Sequence, residues 1–388
     1  MKVLWLVSWY PNQLNPLNGD FVQRHAEAVS QFHTVDIIHL CRDENAVVTK
    51  NKHTAYFKKE NSTEKIIYYH SLKTGIRIAD RFFSSLLYRK LYKRAIKEYI
   101  SSYGLPALVH VHVTMNAGLI ALWMKKKYGV KYVVTEHASQ LLPEATNNFY
   151  QQPVFYRRAW KKVMRYADGL SVVSKYLGDT IAKNILDKAY RVIPNVVNTT
   201  IFKLVEKRGR DKIRFIYIAR IDYQKNPEAV FKAFSLLKNV NSSFELITVT
   251  DETEKIHQLI QAFQLEEHVV NCTEIPQAEL VKLIQQSDAL ILYSRYETFG
   301  CVVAEANACG VPVIVSDIPT LHELVAEKEN GLFAASENAE ALAQKLQWFM
   351  ENKNSFNPQQ IANHAYARYN YKIIGEEFSN WYNDIMNK

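Results

Sequence analysis

No run of apolar residues in this 388-residue chain approaches the roughly 20 that a helix needs to cross a bilayer. Glycine is equally sparing. No two of the 12 glycines lie two positions apart, so the GxGxxG fingerprint of dinucleotide binding is missing. A phosphate-cradling GxxxxGK loop is missing as well, and no two aspartates stand two apart, which removes a DxD-type clamp for metal and diphosphate. A diphosphate bound here would have to be neutralised by side-chain cations and backbone amides. The four cysteines, Cys41, Cys272, Cys301 and Cys309, lack metal-ligand spacing, and reduced cytoplasmic thiols are the expectation. The opening MKVLWLVSWYPN has no small-residue cleavage pattern behind it and reads as a first strand.

What is present is ordinary globular material. Hydrophobic residues make up 48% and charged residues 22%. The length argues for two domains. A net charge of +9 suits nucleic acid, anionic lipid or a phosphorylated substrate. No nucleic-acid recognition motif accompanies it, so nucleic acid is not an expected partner.

Hydrophobic patterning divides the chain into alternating strands and helices. Strands are expected at Lys2–Val7, Val35–Leu40, Lys65–Tyr69, Leu108–His112, Tyr132–Thr135, Leu170–Val173 and Arg191–Ile193. Helical patterns begin near Gly19 and cover Asp80–Tyr103, Ala117–Tyr128, Pro153–Tyr166 and Lys175–Lys183. Asn195–Asp211 is polar, basic and aperiodic, and reads as a linker. Alternation resumes with strands at Ile213–Ala219, Phe244–Val249, Val269–Asn271, Ala289–Tyr293 and Val313–Val315, a helix at Pro227–Leu237, and terminal helices, the last at Tyr371–Met386. The expected fold is α/β: two doubly wound, mostly parallel domains facing each other across the linker.

Chemistry concentrates between Ala289 and Ser316. Two buried-strand patterns flank a helix that starts at Gly300 and stops at Gly310, before Pro312. In such a unit the ligand sits beyond the strand ends, against the helix N-terminus. Glu297 lies in the loop and could hold a hydroxyl. Glu305 lies in the second helical turn, and because helical side chains lean towards the N-terminus its carboxylate can reach a ligand there. A carboxylate facing two vicinal hydroxyls suits a ribose. Amides of Cys301 and Val302, after Phe299 and Gly300, would meet phosphate or sugar oxygens. Arg220 and Lys225 stand where another strand hands over to a helix and could hold a pyrophosphate. Two glutamates eight apart also occur as surface and capping residues, and Arg220 and Lys225 as a solvated loop.

Together these segments resemble retaining glycosyltransferases of the GT-B fold, in particular glycosyltransferase family four. Glu297 and Glu305 match the family's E-x7-E pattern. IAR…K, with Arg220 and Lys225, resembles its GR…K diphosphate motif, with Ala219 in place of Gly. TEHAS, with His137, resembles its donor-site histidine segment. IPNVVN resembles I-P-N-G-V-D, departing at Val196 and Asn198. The resemblance implies residues 1–198 as an acceptor-side domain, 199–369 as the donor-binding domain, and 370–388 packing back on the first. It implies that Glu305 binds the donor ribose, Glu297 the donor sugar, and Arg220 and Lys225 the diphosphate. Gly19 would let the first loop approach the phosphates, and His137, beside Glu136, would reach the transferred sugar. The reaction implied is transfer of a hexosyl or N-acetylhexosaminyl group from a UDP- or GDP-sugar to a glycan or lipid-linked hydroxyl, with retention and no metal or other cofactor, in cell-surface polysaccharide or lipopolysaccharide synthesis. A metal pair at His110 and His112 is a minor reading.

The acceptor side is less marked. Residues 76–100 interleave Arg and Lys with Phe, Leu and Tyr, and Phe155–Tyr166 adds positive charge. Such a helix either packs in the core or lies on the anionic cytoplasmic face of an inner membrane, so a cytoplasmic protein with a peripheral membrane contact is expected. A GT-B phosphorylase or epimerase and a non-catalytic nucleotide-sugar-binding protein remain as alternatives.

Overall fold

The computed structural model describes residues 1–48, 52–70, 74–206, 209–273 and 275–388, and of 77–79 only the backbone. The first sheet contains β1 (Lys2–Val7), β2 (Thr34–Arg42), β3 (Lys52–Lys58), β4 (Ser62–Tyr69), β5 (Leu108–His112), β6 (Tyr132–Glu136), β7 (Gly169–Val172) and β8 (Arg191–Val192). Their order is β3-β4-β2-β1-β5-β6-β7-β8, parallel except for the β3–β4 pair. β1 lies between β2 and β5, with Val3 opposite Val35 on one side and Leu108 on the other. Its continuous VLWLV run is fully buried, as a strand covered on both faces requires. The covering helices are α1 (Asp20–Ser30), α2 (Arg77–Tyr103), α3 (Ala117–Tyr128), α4 (Val154–Tyr166) and α5 (Lys175–Thr180), the last running into a wider turn at Ile181–Ile185.

The second sheet contains β9 (Ile213–Ile218), β10 (Phe244–Val249), β11 (Val269–Cys272), β12 (Ala289–Leu292), β13 (Val313–Ser316) and β14 (Gly331–Ala334). Its order is β11-β10-β9-β12-β13-β14, parallel throughout. Its helices are α6 (Pro227–Lys238), α7 (Thr253–Ala262), α8 (Gln277–Gln285), α9 (Cys301–Ala308), α10 (Ala339–Asn352) and α11 (Pro358–Tyr369). A final helix, α12 (Tyr371–Met386), returns to the first domain. There Phe378, Trp381 and Tyr382 join a core with Trp5, Val22 and Val29, and Tyr382 Oη lies 2.6 Å from His110 Nδ1.

Every strand expected from the sequence is present, with ends moved by at most a few residues. β3 was not expected. It is an antiparallel edge strand whose Tyr56 and Phe57 are exposed, so no buried face marks it. β14 is only four residues long, too short to show a period. α7, α8, α10 and α11 were not singled out either. The chain passes between the sheets twice, at 193–212 and again at Asn370. The two passages are tied together where the Val197 amide donates to the Tyr369 carbonyl at 2.8 Å.

Candidate functional site

β12, the loop 293–300 and α9 form the expected strand–loop–helix unit. Gly300 begins α9 at φ 96°, a left-handed conformation that favours glycine, and no side chain caps the helix. The Cys301 and Val302 amides at the start of α9 lack intrahelical acceptors, whereas the Val303 amide donates to the Gly300 carbonyl at 3.0 Å. Phe299, Gly300, Cys301 and Val302 line a cavity of about 260 Å³, with Glu297, Lys225 and Gln224 on the same wall. The opposite wall comes from the first domain: Trp9, Phe21, His137, Ser139 and Asn195. The strand ends of both sheets converge here, where open parallel sheets place their ligands.

Glu297 is buried and already engaged. Lys225 Nζ lies 2.5 Å from Oε1, Ser294 Oγ donates to the same oxygen at 2.7 Å, and Gln224 Nε2 reaches Oε2 at 3.4 Å. Lys225 is held for this by the turn Asp222–Lys225, in which its amide donates to Asp222 Oδ1. Arg220, after the end of β9, is exposed and is not among the cavity-lining residues.

Glu305 does point back towards the helix N-terminus, but its partner was not foreseen. Arg24 of α1 reaches across the cleft and puts Nη1 2.6 Å from Glu305 Oε1. Its Nη2 lies 2.6 Å from Asp20, one turn earlier, and Nη1 also donates to the Val196 carbonyl at 3.3 Å. Burial works against the guanidinium's charge, but Glu305 and Asp20 outweigh it and hold Arg24 protonated. Burial raises the Glu305 pKa, and Arg24 opposes that rise. Two residues 281 apart in sequence thus form one buried ion pair between the domains. Nothing in a linear pattern pairs Arg24 with Glu305; only the amphipathic face of α1, with Arg24 four residues after Asp20, hints that it turns inward.

Gly19 sits at the start of α1 with φ 71°, and a Cβ there would lie 2.7 Å from the Trp9 carbonyl carbon. The close approach it allows is between the first loop and its own helix, which presents Trp9 and Phe21 to the cavity. His137, just beyond β6, is buried on the cavity wall, 3.2 Å by Nε2 from His112 Nδ1. Burial and the neighbouring histidines His25 and His110 push its pKa well down, so the ring is neutral. Glu136 supports the segment through its backbone: its carboxylate bonds to the amides of His137 and Ala138, accepts from the Thr114 amide at 2.9 Å and accepts from the Thr114 hydroxyl.

The His110–His112 pair is not a ligand pair. His110 spends one nitrogen on Tyr382 Oη and the other on Thr135 Oγ1 at 2.7 Å. Among the described residues, His25, His112 and His137 are the side chains that could hold an ion, each offering a nitrogen within 4.8 Å of the others. His25 Nε2 sits 2.9 Å from the Pro194 carbonyl, which leaves Nδ1 unpartnered.

Two facing Rossmann-like sheets with a ligand cleft between them define the GT-B class of glycosyltransferase. Two family models meet end to end on this chain, Glycosyltransferase Family 4 over residues 19–201 and Glycosyl transferases group 1 over residues 199–369, and the chain belongs to this glycosyltransferase family. It is 23% identical over 369 residues to a putative teichuronic acid biosynthesis glycosyltransferase, TuaC, of Bacillus subtilis, covering 89% of this chain and 88% of that one. It is 28% identical over 288 residues to the O-antigen chain mannosyltransferase RfbU of Salmonella typhimurium, covering 68% and 76%. The Anabaena protein HepE, solved in complex with UDP, shares the fold at a TM-score of 0.73 and 14% identity, over 99% of this chain and 100% of that one.

Proposed function

We propose that this protein transfers a hexosyl or N-acetylhexosaminyl group from a UDP- or GDP-sugar to a hydroxyl of a glycan or lipid-linked acceptor, with retention, in building a cell-surface polysaccharide or lipopolysaccharide. The observation that carries this reading is the convergence of Glu297, Lys225, the uncapped N-terminus of α9 and His137 on one interdomain cavity. Relatives named for teichuronic acid and O-antigen synthesis, and a structural neighbour that holds UDP, support the acceptor and donor classes.

In this mechanism Glu305 accepts from the ribose hydroxyls and Glu297 from a hydroxyl of the transferred sugar. Lys225, the α9 amides and Arg220 take the charge that grows on the leaving diphosphate, which is where electrostatic preorganisation lowers the barrier. Lys225 exchanges Glu297 for phosphate when the donor arrives. Arg220 begins exposed and enters as the cleft rearranges. His137, neutral and turned into the cavity, donates to or accepts from the sugar. The acceptor attacks on the face the phosphate leaves, the phosphate receives the acceptor's proton, and no enzymic nucleophile is needed. Catalysis then rests on orientation and on leaving-group stabilisation.

A screen of UDP-, GDP- and ADP-sugars for hydrolysis and transfer tests the reading directly. Lys225→Ala is expected to lower turnover by roughly a hundredfold or more while leaving the thermal transition in place. Turnover should persist in excess EDTA, because side chains and amides carry the diphosphate. Near-normal turnover of the Lys225 variant would remove the diphosphate assignment, and loss of activity in EDTA would remove the metal-free one.

A further inference from the structure

Arg24 is a buried cation at the cleft with no role in the mechanism proposed for transfer. The residue is only 7% exposed, and its guanidinium has two carboxylates and a carbonyl around it and an unused Nε. Buried polar atoms normally find partners, and an orphan donor on the helix that carries Phe21 is one that a ligand can satisfy. Arg24 springs from α1 one turn after Phe21, which lines the cavity. Neither Arg24 nor Glu305 lines that cavity, because each covers the other. At about 260 Å³ the cavity is also smaller than the roughly 300–1,000 Å³ of typical ligand pockets.

We propose that Arg24 is a donor-binding residue that changes partner: it pairs with Glu305 in the empty cleft and moves to the donor's diphosphate when ribose takes Glu305. The proposal rests on the assignment of Glu305 to ribose. Once two hydroxyls occupy the carboxylate, the buried guanidinium keeps the Val196 carbonyl and, as its one charged partner, Asp20, which is a third exposed and shares its charge with water. A buried cation stripped of its buried counter-charge is costly, and the diphosphate entering the same cleft restores the lost charge pair. An arginine fork suits this exchange, since it can grip phosphate through two donors while holding Asp20 with a third. It would meet the diphosphate from the first domain as Lys225 meets it from the second, so that both halves of the cleft close on the same group.

The test compares uridine with UDP, and guanosine with GDP, by calorimetry on the full chain and on Arg24→Met and Glu305→Gln variants. In Arg24→Met the nucleoside should bind at least as tightly as in the unaltered protein, because nothing competes for Glu305. The matching nucleoside diphosphate should lose about tenfold to a hundredfold in affinity, the worth of a charged hydrogen-bonded contact. Equal affinity for the diphosphate in both proteins overturns the proposal and leaves Arg24 a purely structural partner. Glu305→Gln reports on the ribose assignment separately: it should weaken nucleoside and diphosphate alike, and unchanged nucleoside binding defeats that assignment whatever Arg24 does. Should Arg24→Met fail to fold, Arg24→Lys decides the point. An ammonium lacks the paired donors with which a guanidinium grips phosphate through two oxygens, so diphosphate affinity must still fall while nucleoside affinity holds.

Discussion

Single residues in this molecule are set by what buries them. His25 and His39 are both enclosed, and burial pulls each pKa down to about 4; the carbonyls of Pro194 and Val7 oppose the shift, and Arg24 adds to it at His25. Each is therefore neutral in the native state and binds a proton at about pH 6.5 once the chain unfolds. The sign follows: their contribution to stability is complete above about pH 6.5 and is lost as the pH falls towards 4. At pH 5 the loss is on the order of 2 kcal/mol for each histidine. Denaturant midpoints measured at pH 7.5 and pH 5.0 should show this fall, and His25→Asn should shrink it, whatever that substitution does to stability at pH 7.5. A midpoint that stays flat with pH would mean that these rings are solvated. The same dependence on burial explains which residues a linear reading finds. Gly300, Glu297 and Lys225 are legible because backbone geometry and short loops fix their places. Arg24 is not, since its partner lies 281 positions away. Glu136 holds the backbone of His137 and Ala138 and the Thr114 hydroxyl, and not the His137 ring.

Among the elements, α2 divides into two parts that answer a question its sequence left open. From Tyr92 onward its inward residues Tyr92, Ala95, Ile96 and Tyr99 are buried, and Tyr92 and Tyr99 hydrogen-bond to Ile38 and Asp36 of β2. That half packs in the core. The half before it exposes Phe82 at 60%, Phe83 at 52% and Leu86 at 47%, with Arg81, Arg89 and Lys90 also exposed; the side chains of 77–79, within the expected membrane-facing stretch, lie outside the described residues. The start of α4 adds exposed Val154 and Phe155. A membrane contact, if made through α2, would use the exposed residues of its first turns, since from Tyr92 onward one face packs in the core and the other carries the exposed Arg94, Lys97 and Glu98. Neither period 3.6 nor composition could separate the halves, because both carry the same aromatic and basic residues. The prediction is that Phe82→Ser, Phe83→Ser and Leu86→Ser combined weaken binding to phosphatidylglycerol vesicles by roughly a hundredfold, at about 1 kcal/mol for each partly buried side chain. The melting temperature should barely move, since these side chains touch little. Vesicle binding equal to that of the unaltered protein would return this half of α2 to an ordinary solvated surface.

At the scale of the whole molecule, the two domains share one buried apolar cluster and also meet through polar contacts at the cleft. One is Arg24 with Glu305. Another lies on the opposite rim, where Glu323 of the second domain accepts from the amides of Lys175 and Tyr176 at 2.7 and 2.8 Å. A carboxylate from one domain thus caps a helix of the other, α5, satisfying two first-turn donors that the helix cannot satisfy itself. Arg368, on α11 beside the second interdomain passage, donates to the Glu323 carbonyl at 3.1 Å and so links this rim to the hinge. Polar contacts of this kind exchange readily with water, unlike the apolar seam by which α12 holds the first domain. Relative domain motion is the default expectation for such a pair, and the prediction is that the cleft opens while α12 stays seated. Glu323→Ala removes the cap at a cost of about 1 kcal/mol to the closed form alone. Small-angle scattering of the empty variant should show a larger radius of gyration than the unaltered protein, and UDP should bring the two values together. Thermal stability should change little, because both domains keep their cores. An unchanged radius in the empty variant would show that closure is set by the hinge and not by the rim.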